Sequence, residues 1–132
     1  MKGYKQEGKD IPPWTTIGGT FRHADNHGSQ PPFQLPSTWL NPPKPLDMDT
    51  RFNFVSTADI IGGNSGSPVV NKAGEYCGII FDGNIQSLVL DFTYTDEQAR
   101  AVSVHSSAIL EALRKVYQAD ALVDEIERAR KK

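Results

Sequence analysis

A serine bracketed by glycines stands near the middle of this 132-residue chain, in Ile61-Gly62-Gly63-Asn64-Ser65-Gly66-Ser67-Pro68-Val69-Val70. Glycines beside a serine let the main chain take φ > 0 and turn sharply, so that the hydroxyl and neighbouring N–H groups can face one point. Acyl transfer needs that arrangement: a nucleophile beside donors aimed at a developing oxyanion. Ser65 is the candidate nucleophile, and the main-chain N–H groups of Gly63 and Ser65 are the candidate donors. Pro68-Val69-Val70 reads as the start of a buried strand that anchors the turn. An isolated Gly-x-Ser-x-Gly is more often a plain turn between strands; the longer string is far more specific.

A serine nucleophile needs a base within about 3 Å of its hydroxyl, and histidine is the usual one. The chain has three histidines. His105 lies near the end of a predicted strand, where an edge or surface role is the common one. His23 and His27 are four apart, but Ala24-Asp25-Asn26 between them and Gly28 after them argue against a helix. Without a cysteine nearby they read as solvated loop histidines rather than a metal pair. Cys77 is alone, so no internal disulfide can form, and its apolar run predicts a buried, inert thiol.

The elements that must position Ser65 lie between residues 51 and 104. Phe52 to Ser56 alternates and predicts a strand, Ala58-Asp59-Ile60-Ile61 leads into the glycine loop, and Ser67 to Val70 is a strand. Asn71-Lys72-Ala73-Gly74 predicts a hairpin turn with Gly74 suited to φ > 0. Glu75 to Phe81 is the returning strand, with Gly78 marking a bulge or a close main-chain approach. Asp82-Gly83-Asn84 is expected to break it; Ser87 to Phe92 is another apolar run, and Ala101 to Val104 is a last strand.

Residues 106–130 predict a helix, with Ile109, Leu110, Leu113, Val116 and Tyr117 on one face, a turn or kink near Gln118-Ala119, and Leu122, Val123 and Ile126 resuming the stripe. Lys131 and Lys132 suit its C-terminus. The first fifty residues hold eight of the nine prolines and read as extended segments and loops. They include a strand from Trp14 to Ile17 ended by Gly18-Gly19, a second short strand over Thr20–His23, and one helical turn over Pro36–Leu40.

The length suits one domain, divided here into a proline-rich segment 1–50 and a β-rich part 51–132. A formal net charge of −2 carries no nucleic-acid footprint, and no apolar run approaches the ~20 residues of a membrane span. The N-terminus lacks the apolar segment of a signal peptide, so the chain is expected to be cytoplasmic or a piece of a longer exported protein.

The string Gly62-Gly63-Asn64-Ser65-Gly66-Ser67-Pro68-Val69-Val70 resembles the nucleophile loop of chymotrypsin-like serine peptidases. Phe52 through Val70, together with Gly78-Ile79-Ile80-Phe81-Asp82-Gly83-Asn84, looks like the C-terminal part of the bacterial dipeptidyl peptidases seven and eleven; Ile11 to Thr16 and Pro32 to Pro36 are similar too. The resemblance implies a mainly β fold: an antiparallel chymotrypsin-like second β-barrel with a C-terminal α-helix over about 106–130. It implies a serine exopeptidase releasing dipeptides from free N-termini, without metal or organic cofactor, acting in the periplasm or at the cell surface. By resemblance Ser65 is the nucleophile, Gly63 and Ser65 form the oxyanion hole, Asp82 holds the substrate's free amine, and Gly83 lines the pocket for the residue before the cleaved bond. Glycine there goes with apolar preference and arginine with acidic preference.

The family's catalytic His and Asp lie far upstream and are not matched here, so the chain is expected to be a fragment inactive alone. Its exposed barrel face is expected to favour self-association. A glutamyl-endopeptidase-like or other trypsin-like fragment is the rival enzyme reading, and a non-catalytic interaction module the rival outside enzymes.

Overall fold

The computed structural model describes residues 1–130. The chain divides into two compact units, each assembled from two stretches of sequence. One comprises residues 1–15 and 51–106, the other residues 16–50 and 107–132.

The first unit is built on β-sheet. A hairpin of β1 (Tyr4–Gln6) and β2 (Lys9–Ile11) turns through Glu7 and Gly8, both with positive φ (49° and 78°). Two-residue turns of this sign match the right-handed twist of the strands they join. The main sheet has five strands in the order β3-β4-β7-β6-β5. They are β3 (Trp14–Thr16), β4 (Arg51–Ser56), β5 (Pro68–Val70), β6 (Tyr76–Gly83) and β7 (Ala101–His105). The pairings β4–β7, β6–β7 and β5–β6 are antiparallel. The antiparallel β architecture with helices is as expected, but the sheet does not close. With β3 and β5 as its two edges it is an open sheet rather than a barrel.

Across β4, β7 and β6 the register sets Phe54 opposite Ser103 and Ser103 opposite Ile80. Directly opposed residues share a face, and all three are buried. His105, on the same face of β7, stands edge-on to Phe54 with ring centroids 5.6 Å apart. The reading of Gly78 as a close approach is confirmed: a Cβ there would overlap the Val104 carbonyl oxygen and lie 2.9 Å from the Phe54 ring.

Arg100 is the largest fully buried side chain among the described residues. Its guanidinium donates to five main-chain carbonyls: Lys2 at 2.9 Å, Gly3, Asp96 and Ala99 at 2.7 Å, and Glu97 at 3.3 Å. A buried charge is tolerated when its hydrogen-bonding capacity is filled in this way. The clamp ties the first residues of the chain to the segment before β7.

The second unit is helical. The strand expected from Trp14 is present as β3, but α1 (Ile17–Asn26) replaces the second strand expected over Thr20–His23 and places His23 within a helix, with His27 at its C-cap. Thr16 caps it, its hydroxyl accepting from the Gly19 N–H at 3.1 Å. Gly18 and Gly19 are helical rather than strand-ending. Gly18 donates to the Met48 carbonyl at 2.8 Å, and a Cβ there would press on Met48 at 3.0–3.1 Å. The glycine serves a close chain crossing. The expected turn at Pro36–Leu40 is α2 (Ser37–Leu40).

The expected C-terminal helix is two: α3 (Ser106–Lys115) and α4 (Asp120–Arg130). Gln118 breaks them in the left-handed region (φ 53°), where the kink was read. The break divides the apolar stripe, leaving Val116 and Val123 buried and Tyr117, Leu122 and Ile126 exposed. Lys131 and Lys132 lie outside the described residues. Among the described residues no helix is long and apolar enough to cross a membrane.

Candidate functional site

Asn64 ties the glycine loop together. Its side-chain Oδ1 accepts from the Ile61 N–H at 2.8 Å, its own N–H donates to the Ile61 carbonyl at 3.1 Å, and its carbonyl accepts from Ser67 at 2.9 Å. Gly63 and Gly66 carry φ of 98° and 89°, which only glycine adopts without strain. The N–H groups of Asn64, Gly66 and Ser67 are all hydrogen-bonded, whereas those of Gly63 and Ser65 have no acceptor among the described residues.

β5 pairs with β6 only as far as Ile79, and the loop continues the edge from there. Ile80 N–H donates to the Ser67 carbonyl at 3.1 Å and Gly66 N–H to the Ile80 carbonyl at 2.8 Å. Ser65 Oγ then donates to the Phe81 carbonyl at 3.3 Å. The loop thus sets the serine hydroxyl on the edge of β6.

Asp82 and Gly83 do not end the strand, as the turn-forming composition predicted. They remain in β6, paired with Val102 and Ala101 of β7. A register shift between Ile80 and Asp82 leaves Phe81 as the extra residue of a bulge, a device that re-aims the side chains beyond it. Asp82 Oδ1 accepts from the Gly83 N–H at 2.8 Å. Ser65, the Phe81 carbonyl, Asp82 and Gly83 therefore follow one another along one strand edge.

Two further residues shape this edge, and residue type alone did not mark either. Asn84 fastens the end of β6 to the 98–100 segment. Its Nδ2 donates to the Gln98 carbonyl at 2.8 Å, its Oδ1 accepts from the Arg100 N–H at 2.8 Å, and its N–H donates to the Arg100 carbonyl at 2.9 Å. Ser87 begins the chain's return. It belongs to a 3-10 helix, Ile85–Asp91, which takes up most of the apolar run Ser87–Phe92. The run is apolar, yet Ile85, Leu88 and Phe92 are 76%, 67% and 89% exposed. Asn84, a turn former three residues before Ser87, was the available sign of a helical turn.

His105 is taken up by Phe54 and the sheet. Burial, and to a lesser degree the positive charge of Arg51, pulls its pKa below the ordinary histidine value. Cys77 is half-buried rather than buried, its thiol donating to the Glu75 carbonyl at 3.5 Å. In the helical unit His23, His27 and Phe33 cluster, with His27 stacked on Phe33 at 4.0 Å between centroids and His23 edge-on to Phe33. Among the described residues no group of three or more His, Cys, Asp and Glu gathers to hold a metal.

A sequence profile of the peptidase S46 family matches residues 1–128. Dipeptidyl-peptidase 7 of Phocaeicola vulgatus is 31% identical over 135 aligned positions, covering 96% of this chain and 18% of that protein. The Asp/Glu-specific dipeptidyl-peptidase of Shewanella putrefaciens is 41% identical over 78 positions, covering 59% of this chain and 11% of that protein. The crystal structure of Porphyromonas endodontalis DPP11 shares the fold, with a TM-score of 0.79 at 24% identity over 96% of this chain and 19% of that one. The chain spans less than a fifth of the length of each of these relatives. Matched by the family profile over nearly its whole length, the chain belongs to the peptidase S46 family.

Proposed function

We propose that this chain is the nucleophile-bearing part of a serine dipeptidyl peptidase, completed by a histidine and an aspartate from a longer protein. The observation that carries the reading is the Ser65 hydroxyl on the open edge of β6, directly before Asp82 and Gly83. A peptide lying along that edge would bring its scissile carbonyl to Ser65 Oγ. The unengaged N–H groups of Gly63 and Ser65 would receive the oxyanion. The absent histidine takes the Ser65 proton and passes it to the leaving amine, and water then releases the acyl group.

Asp82, one residue past the carbonyl that Ser65 touches, supplies a carboxylate on the strand edge along which the substrate's free N-terminus would run. A charge-assisted bond there selects free N-termini. Gly83 offers no side chain to the residue before the cleaved bond, and Arg100 has spent its donors on main-chain carbonyls. Neither presents a cation to an acidic side chain, which favours an apolar one. The relatives' names span both dipeptidyl-peptidase 7 and Asp/Glu-specific dipeptidyl-peptidase, so the preference is settled by measurement. The location proposed for the longer enzyme is the periplasm or cell surface, tested by fractionation.

The test uses the full-length enzyme and fluorogenic dipeptides with free or blocked amines. Ser65→Ala should lower kcat on the order of 10⁴-fold or more. Asp82→Asn should lower kcat/KM for free amines by about 10²-fold while leaving the fold intact. Cleavage of blocked peptides, indifferent to Asp82→Asn, would favour an endopeptidase instead. Failure of a fluorophosphonate to label Ser65 would favour a non-catalytic module.

A further inference from the structure

Gly83 does not occupy the left-handed region, so its main chain would accept a side chain. What forbids one is Ser87. A Cβ built on Gly83 would overlap Ser87 Oγ and lie 3.1 Å from Ser87 Cβ, with the Arg100 carbonyl at 3.7 Å. The space beside Gly83 is therefore filled rather than open.

Ser87 is held in that space by its surroundings. Its Oγ donates to the Asn84 carbonyl at 2.7 Å and its N–H donates to the same oxygen at 2.8 Å. Asn84 is itself fastened to Gln98 and Arg100 by three hydrogen bonds. A serine hydroxyl with one rotamer satisfied and its acceptor anchored does not swing aside freely.

We infer that Ser87 is a specificity-determining residue: it occupies the volume a side chain at position 83 would need, so that residues 83 and 87 form one wall of the substrate pocket. The inference rests on the proposal that Gly83 faces the residue before the cleaved bond. With glycine at 83, the hydroxymethyl group of Ser87 is the surface the substrate side chain meets. A change of specificity at 83 then requires a smaller residue at 87. An arginine at 83 can pair bidentately with an acidic substrate side chain only once Ser87 has yielded its place.

The experiment compares Gly83→Arg, Ser87→Gly and the double variant in the full-length enzyme, with Ser87→Ala as a second relief that spares the 3-10 helix a glycine. Readouts are Tm and the ratio of kcat/KM for acidic over apolar residues before the cleaved bond. Gly83→Arg alone should lower Tm and depress turnover of both substrate classes without inverting their order. Adding Ser87→Gly should recover Tm and raise the acidic-to-apolar ratio by about tenfold or more over the starting enzyme. Ser87→Ala should recover part of both, because it removes the overlapping oxygen and leaves the Cβ. Gly83→Arg that folds normally and shifts the ratio as far as the double variant would overturn the inference. So would a double variant no more stable than Gly83→Arg while Ser87→Gly alone is folded. Recovery of Tm with an unchanged ratio would instead remove the pocket reading of Gly83, and the inference with it.

Discussion

A hydroxyl buried without a partner pays its desolvation and regains nothing, and Ser103 is in that position. Its side chain is fully buried and its Oγ has no hydrogen-bond partner among the described residues. Ser103→Ala should therefore raise stability, by about 1 kcal/mol, in urea unfolding; a loss of stability would mean that the hydroxyl has found a partner. His105 gives a second expectation. Its pKa is held below the ordinary value by burial and then by Arg51. The unfolded chain takes up a proton near pH 6.5 that the folded chain resists, so the His105 contribution is intact above that pH. It is lost as pH falls through the lowered folded pKa. Between pH 7.5 and 5 the Tm of His105→Gln should decline less steeply than that of the starting protein at equal ionic strength. Ser65 and Gly63 were legible as candidates because glycines beside a serine print a conformational demand in the sequence, whereas Asp82 and Gly83 were candidates only through the family resemblance. Ser87 and Asn84 were not, because their roles come from contacts with residues their own types do not announce.

At the scale of elements, strands with strict alternation or a firm turn were readable: β4, the β5–β6 hairpin with Gly74 at φ 78°, and β7. Failures arose where glycine and apolar residues served another purpose. Gly18-Gly19 looked like a strand end, yet Thr16 caps a helix there and Gly18 lets the Met48 segment approach. The apolar run after Asn84 carried in itself no sign of its 3-10 form, and it turns its large side chains outward. The break at Gln118 fell where a turn or kink was expected, although it uses a non-glycine residue at positive φ. Gly78 was readable because a glycine within an apolar strand has few other reasons to be there. Gly78→Ala should destabilise by roughly 3 kcal/mol, the upper range for overpacking, because the obstacle is the Val104 main chain and the Phe54 ring rather than a movable side-chain tip. A shift in the urea midpoint too small for even 1 kcal/mol would show that β6 and β7 separate more readily than their pairing implies.

For the whole molecule, Ile85, Leu88 and Phe92 put large apolar groups on the surface within eight residues. Exposed apolar segments promote association, so sedimentation velocity of this chain should show self-association that Leu88→Glu with Phe92→Glu reduces. Unchanged sedimentation would locate the contact elsewhere or show the chain to be monomeric. The Arg100 clamp has a different consequence, one of timing. Its guanidinium holds the carbonyls of Lys2 and Gly3, residues made almost a hundred positions earlier. β7, which lies between β4 and β6, is made only after Arg100. At a synthesis rate of about 5–20 residues per second, the first strands wait on the order of 5–20 s on the ribosome before the residue that secures them exists. As each is made within that interval, β4 and then β6 lack their central neighbour until β7 follows, leaving two unpaired strand edges for chaperones to shield. Folding of this unit is therefore set to begin at its end.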